Sequence, residues 1–174
     1  MNLIQVVPIG VVDQHLTSEL CAGLSAELQV GSQVLTEALD PAPARHPERQ
    51  QYHSTEFLSR LAALRPPEAW RLLGVTELDL YIPTLTFVFG EAQLGGGCAV
   101  VSVHRLRQEF YGLPPDPRLL SDRLLKEAVH ELGHTMNLRH CDDYRCAMAP
   151  SHAVEWIDLK GSRFCPDCQA RTCA

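Results

Sequence analysis

Apolar residues recur along the chain with two periods, and their alternation sets the expected order of elements. Residues 2–9 (NLIQVVPI) form a dense apolar and β-branched run, the composition of a buried strand. Asp13 then stands as a helix cap before Leu16, Leu20, Leu24 and Leu28, which share one face at four-residue spacing. QVLTEAL (33–39) predicts a second strand, and DPAPARHPE (40–48), with three prolines, an irregular loop. A helix over 50–64 follows, with Phe57, Leu58, Leu61 and Leu64 in helical spacing. RPPEAWRLLG (65–74) predicts a short helix opened by proline and stopped by Gly74, and residues 75–90 two strands, VTELDLYIP and LTFVFG. In QLGGGCAVVSVHRL (93–106) three glycines lead into a strand. The bare backbone at 95–100 predicts either an edge that another chain can approach or a plain hairpin loop. LPPDP (113–117) is a loop, and Ser121 or Asp122 is the expected cap of the next helix. The order is mixed, so the expected fold class is α/β (α+β).

That last helix carries HELGHTMNLRH (130–140). At about 100° per residue, Leu124, Leu125, Ala128, Val129, Leu132 and Met136 fill one continuous arc, which predicts the core face. His130 and His134 lie about 40° apart on the opposite side, with Glu131 on their flank, which sets the imidazoles away from the core. A lone helical histidine is ordinarily solvated or hydrogen-bonded. H-E-x-x-H instead gives a cation two neutral nitrogens from one rigid turn and places a carboxylate beside the open position. His140 can join them only if the helix stops. Six helical residues would carry it about 9 Å along the axis, whereas ligands of one zinc lie within roughly 3.5 Å of each other. Asn137 lies midway and tolerates the left-handed conformation that ends helices, so a reversal there predicts a three-histidine site with water in the fourth position.

Seven cysteines add a second piece of chemistry. Cys141 and Cys146 form C-x4-C, and Cys165 and Cys168 form C-x2-C. This set suits a four-thiolate structural zinc with no position left for substrate, the alternative being four buried or reactive free thiols. Cys21, Cys98 and Cys173 have no matching partners and are expected as packing residues or exposed thiols. The formal net charge of −6 disfavours nucleic acid as a partner, and no apolar run reaches the length of a membrane span. The N-terminal stretch lacks the basic region and cleavage pattern of a signal peptide, so a cytoplasmic, reducing location is expected.

These motifs resemble the metzincin zinc peptidases, whose signature H-E-x-x-H-x-x-G-x-x-H is followed by a methionine turn beneath the metal. Here Asn137 replaces the glycine, and Met148 in CAMAP is the candidate turn methionine. The cysteine pairs directly after His140 are similar to those of the archaemetzincin subgroup, and the similarity extends over roughly residues 75–168. The resemblance implies one catalytic domain over 1–174: a twisted mixed sheet on helices in 1–137, then a zinc-stapled part in 138–174. It also implies two zinc ions per chain, the first on His130, His134 and His140, the second on Cys141, Cys146, Cys165 and Cys168. Glu131 becomes the general base of peptide hydrolysis, and an extended peptide lies against the glycine-rich edge at 95–100. The expected partner is a peptide or protein substrate met by a monomer. Two other classes remain open. One is a catalytically silent zinc protein that binds a partner; the other, a zinc-ribbon nucleic-acid binder, is disfavoured by its sparse basic residues.

Overall fold

The N-terminal apolar run becomes β1 (Leu3–Ile9) in the computed structural model, which describes residues 2–172. From β1, α1 (Gln14–Leu28) carries the chain back to β2 (Gly31–Val34), parallel to β1, as a crossover of that length requires. Asp13 caps α1 by accepting from the His15 N–H at 2.8 Å. The second strand lies earlier than its apolar pattern suggested. It ends at Val34, and Leu39 touches the sheet only as an isolated bridge to Ile9. The polar Ser32 enters the strand because its hydroxyl donates to the Cys21 carbonyl at 2.7 Å, a tie that apolar periodicity does not register.

β3 (Tyr52–His53) pairs with β5 (Leu80–Tyr81), so α2 begins late, at Ser54, and runs to Leu64. The largest correction falls on residues 65–74. The expected short helix is instead a turn at the two prolines followed by β4 (Arg71–Thr76), which pairs with β1 on one side and β7 (Cys98–Ser102) on the other. Leu72 and Leu73 are buried on opposite faces of this central strand, and two-sided burial outweighs the helical propensity of leucine. Gly74 does not stop a helix. A Cβ there would lie 2.7 Å from Ile9 Cδ1 and 3.0 Å from Leu61 Cδ1, so its bare backbone is what lets α2 approach the sheet. Of the strands expected in 75–90, residues 75–76 complete β4, β5 and the start of β6 (Gly90–Ala92) form, and residues 82–89 cross between β5 and β6 irregularly.

The sheet order is β2-β1-β4-β7-β6, parallel except for β6, which is antiparallel to β7. β7 is therefore interior. The glycine-rich edge expected at 95–100 is a hairpin turn, with Gly95 at φ +66°, followed by a buried strand; the edge strand is β6. α1 joins α3 (Pro117–Thr135) on one face of the sheet, and α2 covers the other. Asp116, not Ser121 or Asp122, caps α3, accepting from the Leu119 N–H at 3.0 Å with Pro117 in the first turn. Ser121 instead donates to Glu19, and Asp122 pairs with Lys126. Beyond α3 come α4 (Val154–Leu159) and α5 (Pro166–Thr172). Among the described residues no helix is long and apolar enough to cross a membrane.

The close approach at Gly74 generates a test. Gly74→Val overpacks the contact among Ile9, Leu61 and Val100, and should lower unfolding free energy by about 1–3 kcal/mol in urea titration, with the same end-state spectrum. An unchanged midpoint would show that α2 is not pressed against this strand.

Candidate active site

The site is built on the end of α3, and the decisive local event is how that helix stops. Met136 is its C-cap, and Asn137 takes φ 65°, in the left-handed region. The Leu138 N–H donates to Gly133 O and the Asn137 N–H to His134 O, each at 3.0 Å. This pair of backward bonds satisfies the last carbonyls of the helix and reverses the chain. Leu138, buried to 1% exposure, supplies the apolar contact that accompanies such a stop. The hairpin before β7 braces the same turn, since the Gly95 N–H donates to His134 O at 2.9 Å.

The reversal brings His140 back to the other two histidines. Ring centroids are 4.7 Å apart for His130 and His134, 5.3 Å for His130 and His140, and 5.1 Å for His134 and His140. One nitrogen from each ring lies within 4.8 Å of the others. Two of the rings are fixed from behind: His130 Nδ1 donates to Ala147 O and His134 Nδ1 to Leu138 O, each at 2.8 Å. With those protons on Nδ1, both Nε2 atoms are lone-pair acceptors, and they face each other at 3.1 Å. Two lone pairs held that close repel unless a cation lies between them, so the donor set fits a metal with nitrogen preference such as zinc.

Burial lowers the affinity of all three imidazoles for protons, most strongly at His130, where Lys160 and His134 add to the effect. Neutral rings are the ligating form. His130 and His134 lie off the apolar core face of α3 and line a cleft, as expected, although His130 is only 5% exposed and Glu131 6%. Their face of α3 is covered by β6 and by the segment after His140, which leaves a cleft of about 850 Å³. Glu131 lies under the start of β6. A Cβ on Gly90 would come within 2.7 Å of Glu131 Cγ and 2.6 Å of Val100 O, so only glycine lets the edge strand pass this close. Burial, and then the nearby Glu127, raise the Glu131 carboxyl well above the usual range.

Two groups at the site carry no sequence signal. Lys160, fully buried, pairs with Glu127 at 2.7 Å, donates to Ala149 O at 3.2 Å and lies 3.4 Å from His130 Nδ1. Only the fold reveals this pair, because the two residues are 33 positions apart in sequence, on α3 and just after α4. Tyr144, between two of the cysteines, is 64% exposed and does not line the cleft.

The four cysteines Cys141, Cys146, Cys165 and Cys168 gather behind the histidines, their sulfurs all within 4.8 Å of one another. Cys141 and Cys165 are 3.8 Å apart, far beyond a disulfide and equal to the sulfur spacing of about 3.8 Å that follows from tetrahedral Zn–S bonds of 2.3 Å. Cys146 Sγ accepts the backbone N–H groups of Met148 and Cys165, though burial outweighs them and holds its thiol above the usual range. Burial and the neighbouring thiols push Cys168 up to about 12, so the four cannot ionise together without a cation among them. The Cys141 N–H donates to Met148 O at 3.0 Å, and Met148 is fully buried beneath α3 against Gly133, where a Cβ would collide with its sulfur. Cys21 and Cys98 are buried packing residues, and Cys173 lies outside the described residues.

The sequence profile of Peptidase family M54 matches residues 45–172. The chain belongs to this family, the archaemetzincins. An archaemetzincin of Pyrococcus furiosus is 39% identical over 96% of this chain and 90% of its own length. One from Methanocaldococcus jannaschii is 46% identical over 74% and 69%. A crystal structure of a zinc-dependent peptidase from Methanocorpusculum labreanum superposes with a TM-score of 0.89 at 32% identity, covering 97% of this chain and 99% of that one. The Archaeoglobus fulgidus archaemetzincin, crystallised with malonate, gives 0.84 at 36%, with the same coverage. This archaemetzincin is therefore a metallopeptidase of a zinc-dependent family, with a mixed α/β fold matching its structural neighbours.

The lowered proton affinity of the three histidines gives metal-free protein a defined pH response. Their folded affinity for protons is depressed, so below about 6.5 the unfolded chain binds protons that the fold refuses, and stability falls with pH. Glu131, raised above 4.5, acts in the opposite direction, as one group against three. Chelator-treated protein should therefore melt at progressively lower temperature from pH 7 to pH 5; a flat or rising Tm would contradict the neutral, buried state of the rings.

Proposed function

We propose that this chain hydrolyses peptide bonds with Glu131 as general base, and that it holds two zinc ions, one on His130, His134 and His140 and one on Cys141, Cys146, Cys165 and Cys168. The observation that carries the reading is the convergence of three neutral imidazoles beside a buried carboxylate, in a cleft bounded by an edge strand. When bound by the histidines, zinc polarises the scissile carbonyl and acidifies water. Glu131 then accepts the proton of the attacking water and passes it to the leaving nitrogen, and burial, which raises its carboxyl above the usual range, strengthens it as a proton acceptor. The unpaired backbone of β6 offers main-chain hydrogen bonds to an extended peptide. Gly90 keeps that strand within reach of Glu131.

The free thiols and the charge of −6 support a reducing cytoplasmic location and a chain that acts without nucleic acid. All 1–174 residues act as one catalytic domain in this reading, because the histidine and cysteine clusters share the 138–148 segment.

At equal zinc content, Glu131→Gln should reduce kcat for peptide hydrolysis by about 10²–10⁴-fold while leaving metal binding intact. Hydrolysis unaffected by this change, or absent across a broad peptide library, would favour the silent partner-binding role. Elemental analysis should find two zincs per chain, one of them removed first by chelator. Cys165→Ser should weaken both, because Cys141 adjoins His140 and is bonded to the Met148 turn. A Cys165→Ser protein with full zinc content and wild-type Tm would show the two clusters to be independent.

A further inference from the structure

Residues 82–89 form one wall of the cleft without regular structure, so their backbone groups must be satisfied elsewhere. Two consecutive carbonyls on this wall, Leu85 O and Thr86 O, each accept from Arg49 Nη2 at 3.0 Å. Thr86 O also accepts from Gln51 Nε2 at 3.0 Å. Gln51 is buried, and its amide donates at the same time to Asp79 at 2.9 Å. Asp79 in turn takes both arms of the Arg105 guanidinium at 2.7 Å. Arg105 lies over the Phe87 ring at 4.2 Å, and Arg49 over Tyr81 at 4.1 Å. Burial alone would raise the Asp79 carboxyl, but hydrogen bonds from Arg105 and Gln51 outweigh it and hold the group below its usual range, so the network stays ionised at neutral pH.

The segment that supplies Arg49 and Gln51 is itself held in an uncommon conformation. Gln50, between them, has φ 54°, a left-handed angle adopted by a residue that is not glycine. The turn lets both flanking side chains reach Thr86 O, while Arg49 alone also reaches Leu85 O. None of these groups takes part in the chemistry assigned to the histidines or to Glu131, yet they converge on the stretch whose side chains face the substrate cleft. Leu85 there is 53% exposed, and with Ile82, Phe87 and Val88 it makes that side of the cleft apolar.

We propose that Arg49, assisted by Gln51, is a positioning residue that fixes residues 85–87 as a rigid apolar wall, and that this wall selects peptides carrying a large apolar side chain beside the scissile bond. The inference rests on the peptidase reading and names its substrate class. A wall fixed before binding loses little conformational freedom when an apolar side chain is seated on it, so the contact appears as affinity. Without Arg49, Leu85 O loses its side-chain donor and Thr86 O keeps only Gln51, so the wall must be ordered anew at each encounter.

The test uses full-length, zinc-loaded protein and two peptides identical except for phenylalanine or asparagine at the positions flanking the cleaved bond. Wild type should show the lower KM for the phenylalanine peptide, and Arg49→Ala should shrink the KM ratio between the two about tenfold without changing the kcat ratio. Arg49→Lys, which keeps the charge but loses the fork, should restore part of the selectivity. Equilibrium binding of both peptides, read by fluorescence anisotropy, gives the same ratio without turnover. Absent hydrolysis with a preserved, Arg49-dependent apolar preference in binding would count against the peptidase reading and for the wall. No apolar preference in wild type, a preference that Arg49→Ala retains, or a loss confined to kcat would overturn the inference. If Arg49→Ala fails to fold by circular dichroism, Gln51→Ala carries the same comparison, with a smaller loss of selectivity expected and unchanged selectivity overturning it.

Discussion

The left-handed residue at position 137 is the constraint on which the remaining geometry depends. A helix continued through His140 would place that ring more than a full turn from its partners. The reversal instead satisfies the helix's last carbonyls, buries Leu138 and delivers His140 to the others in a single stroke. Asparagine at this point stands where the related motif has glycine. Its tolerance of positive φ exceeds that of other non-glycine residues, so the backbone path is kept at modest cost. A Cβ on Gly95 would come within 3.5 Å of Asn137 Oδ1, so the residue that ends the helix lies beside the hairpin joining the edge strand to the sheet.

From that turn the two clusters become mechanically one unit. The carbonyl of Leu138 orients His134, the carbonyl of Ala147 orients His130, and Cys141 and Cys146 sit on the same short stretch of chain. Met148 packs beneath Gly133, its amide donates to Cys146 Sγ, and its carbonyl accepts from Cys141. Any loosening of the sulfur cluster therefore displaces the carbonyls that hold the imidazole tautomers. In a small C-terminal segment with little apolar core of its own, a cross-link of this kind does what a larger hydrophobic interior does elsewhere.

The legible parts of the sequence were those whose chemistry is local. The histidine spacing, the asparagine, the paired cysteines and the capped first helix each express a rule that acts within a few residues, and each residue lies where that rule would place it. The misread parts were governed by partners distant in sequence. Residues 71–76 carry leucines that suit a helix in isolation, but parallel neighbours on both sides draw them into the sheet. The glycines at 95–97 suggested an edge because bare backbone suits both an edge and a turn, and only the pairing order distinguishes them. Lys160 and Arg49 have no local signature, since each acts on a segment more than thirty residues away.

The buried charges at the site follow from one electrostatic requirement. Glu131 must stay close to neutral histidines and shielded from bulk solvent while still reaching the reacting water, yet Glu127 stands one turn before it on the same helix and raises its proton affinity further. A second unpaired carboxylate at that depth would be costly, and Lys160 offsets it with a 2.7 Å contact in a fully buried position. Lys160 also anchors Ala149 next to the methionine turn, so the cation that compensates Glu127 is the one that closes the floor of the cleft. Its charge reaches His130 as well, adding to the burial that keeps that ring neutral and able to ligate. Glu91 on the edge strand meets the same requirement differently, accepting hydroxyl donors from Ser54 and Thr55 of α2. Among the described residues, the other acidic groups lining the cleft, Glu91 and Glu127, thus each have a dedicated partner, which leaves Glu131 available for proton transfer.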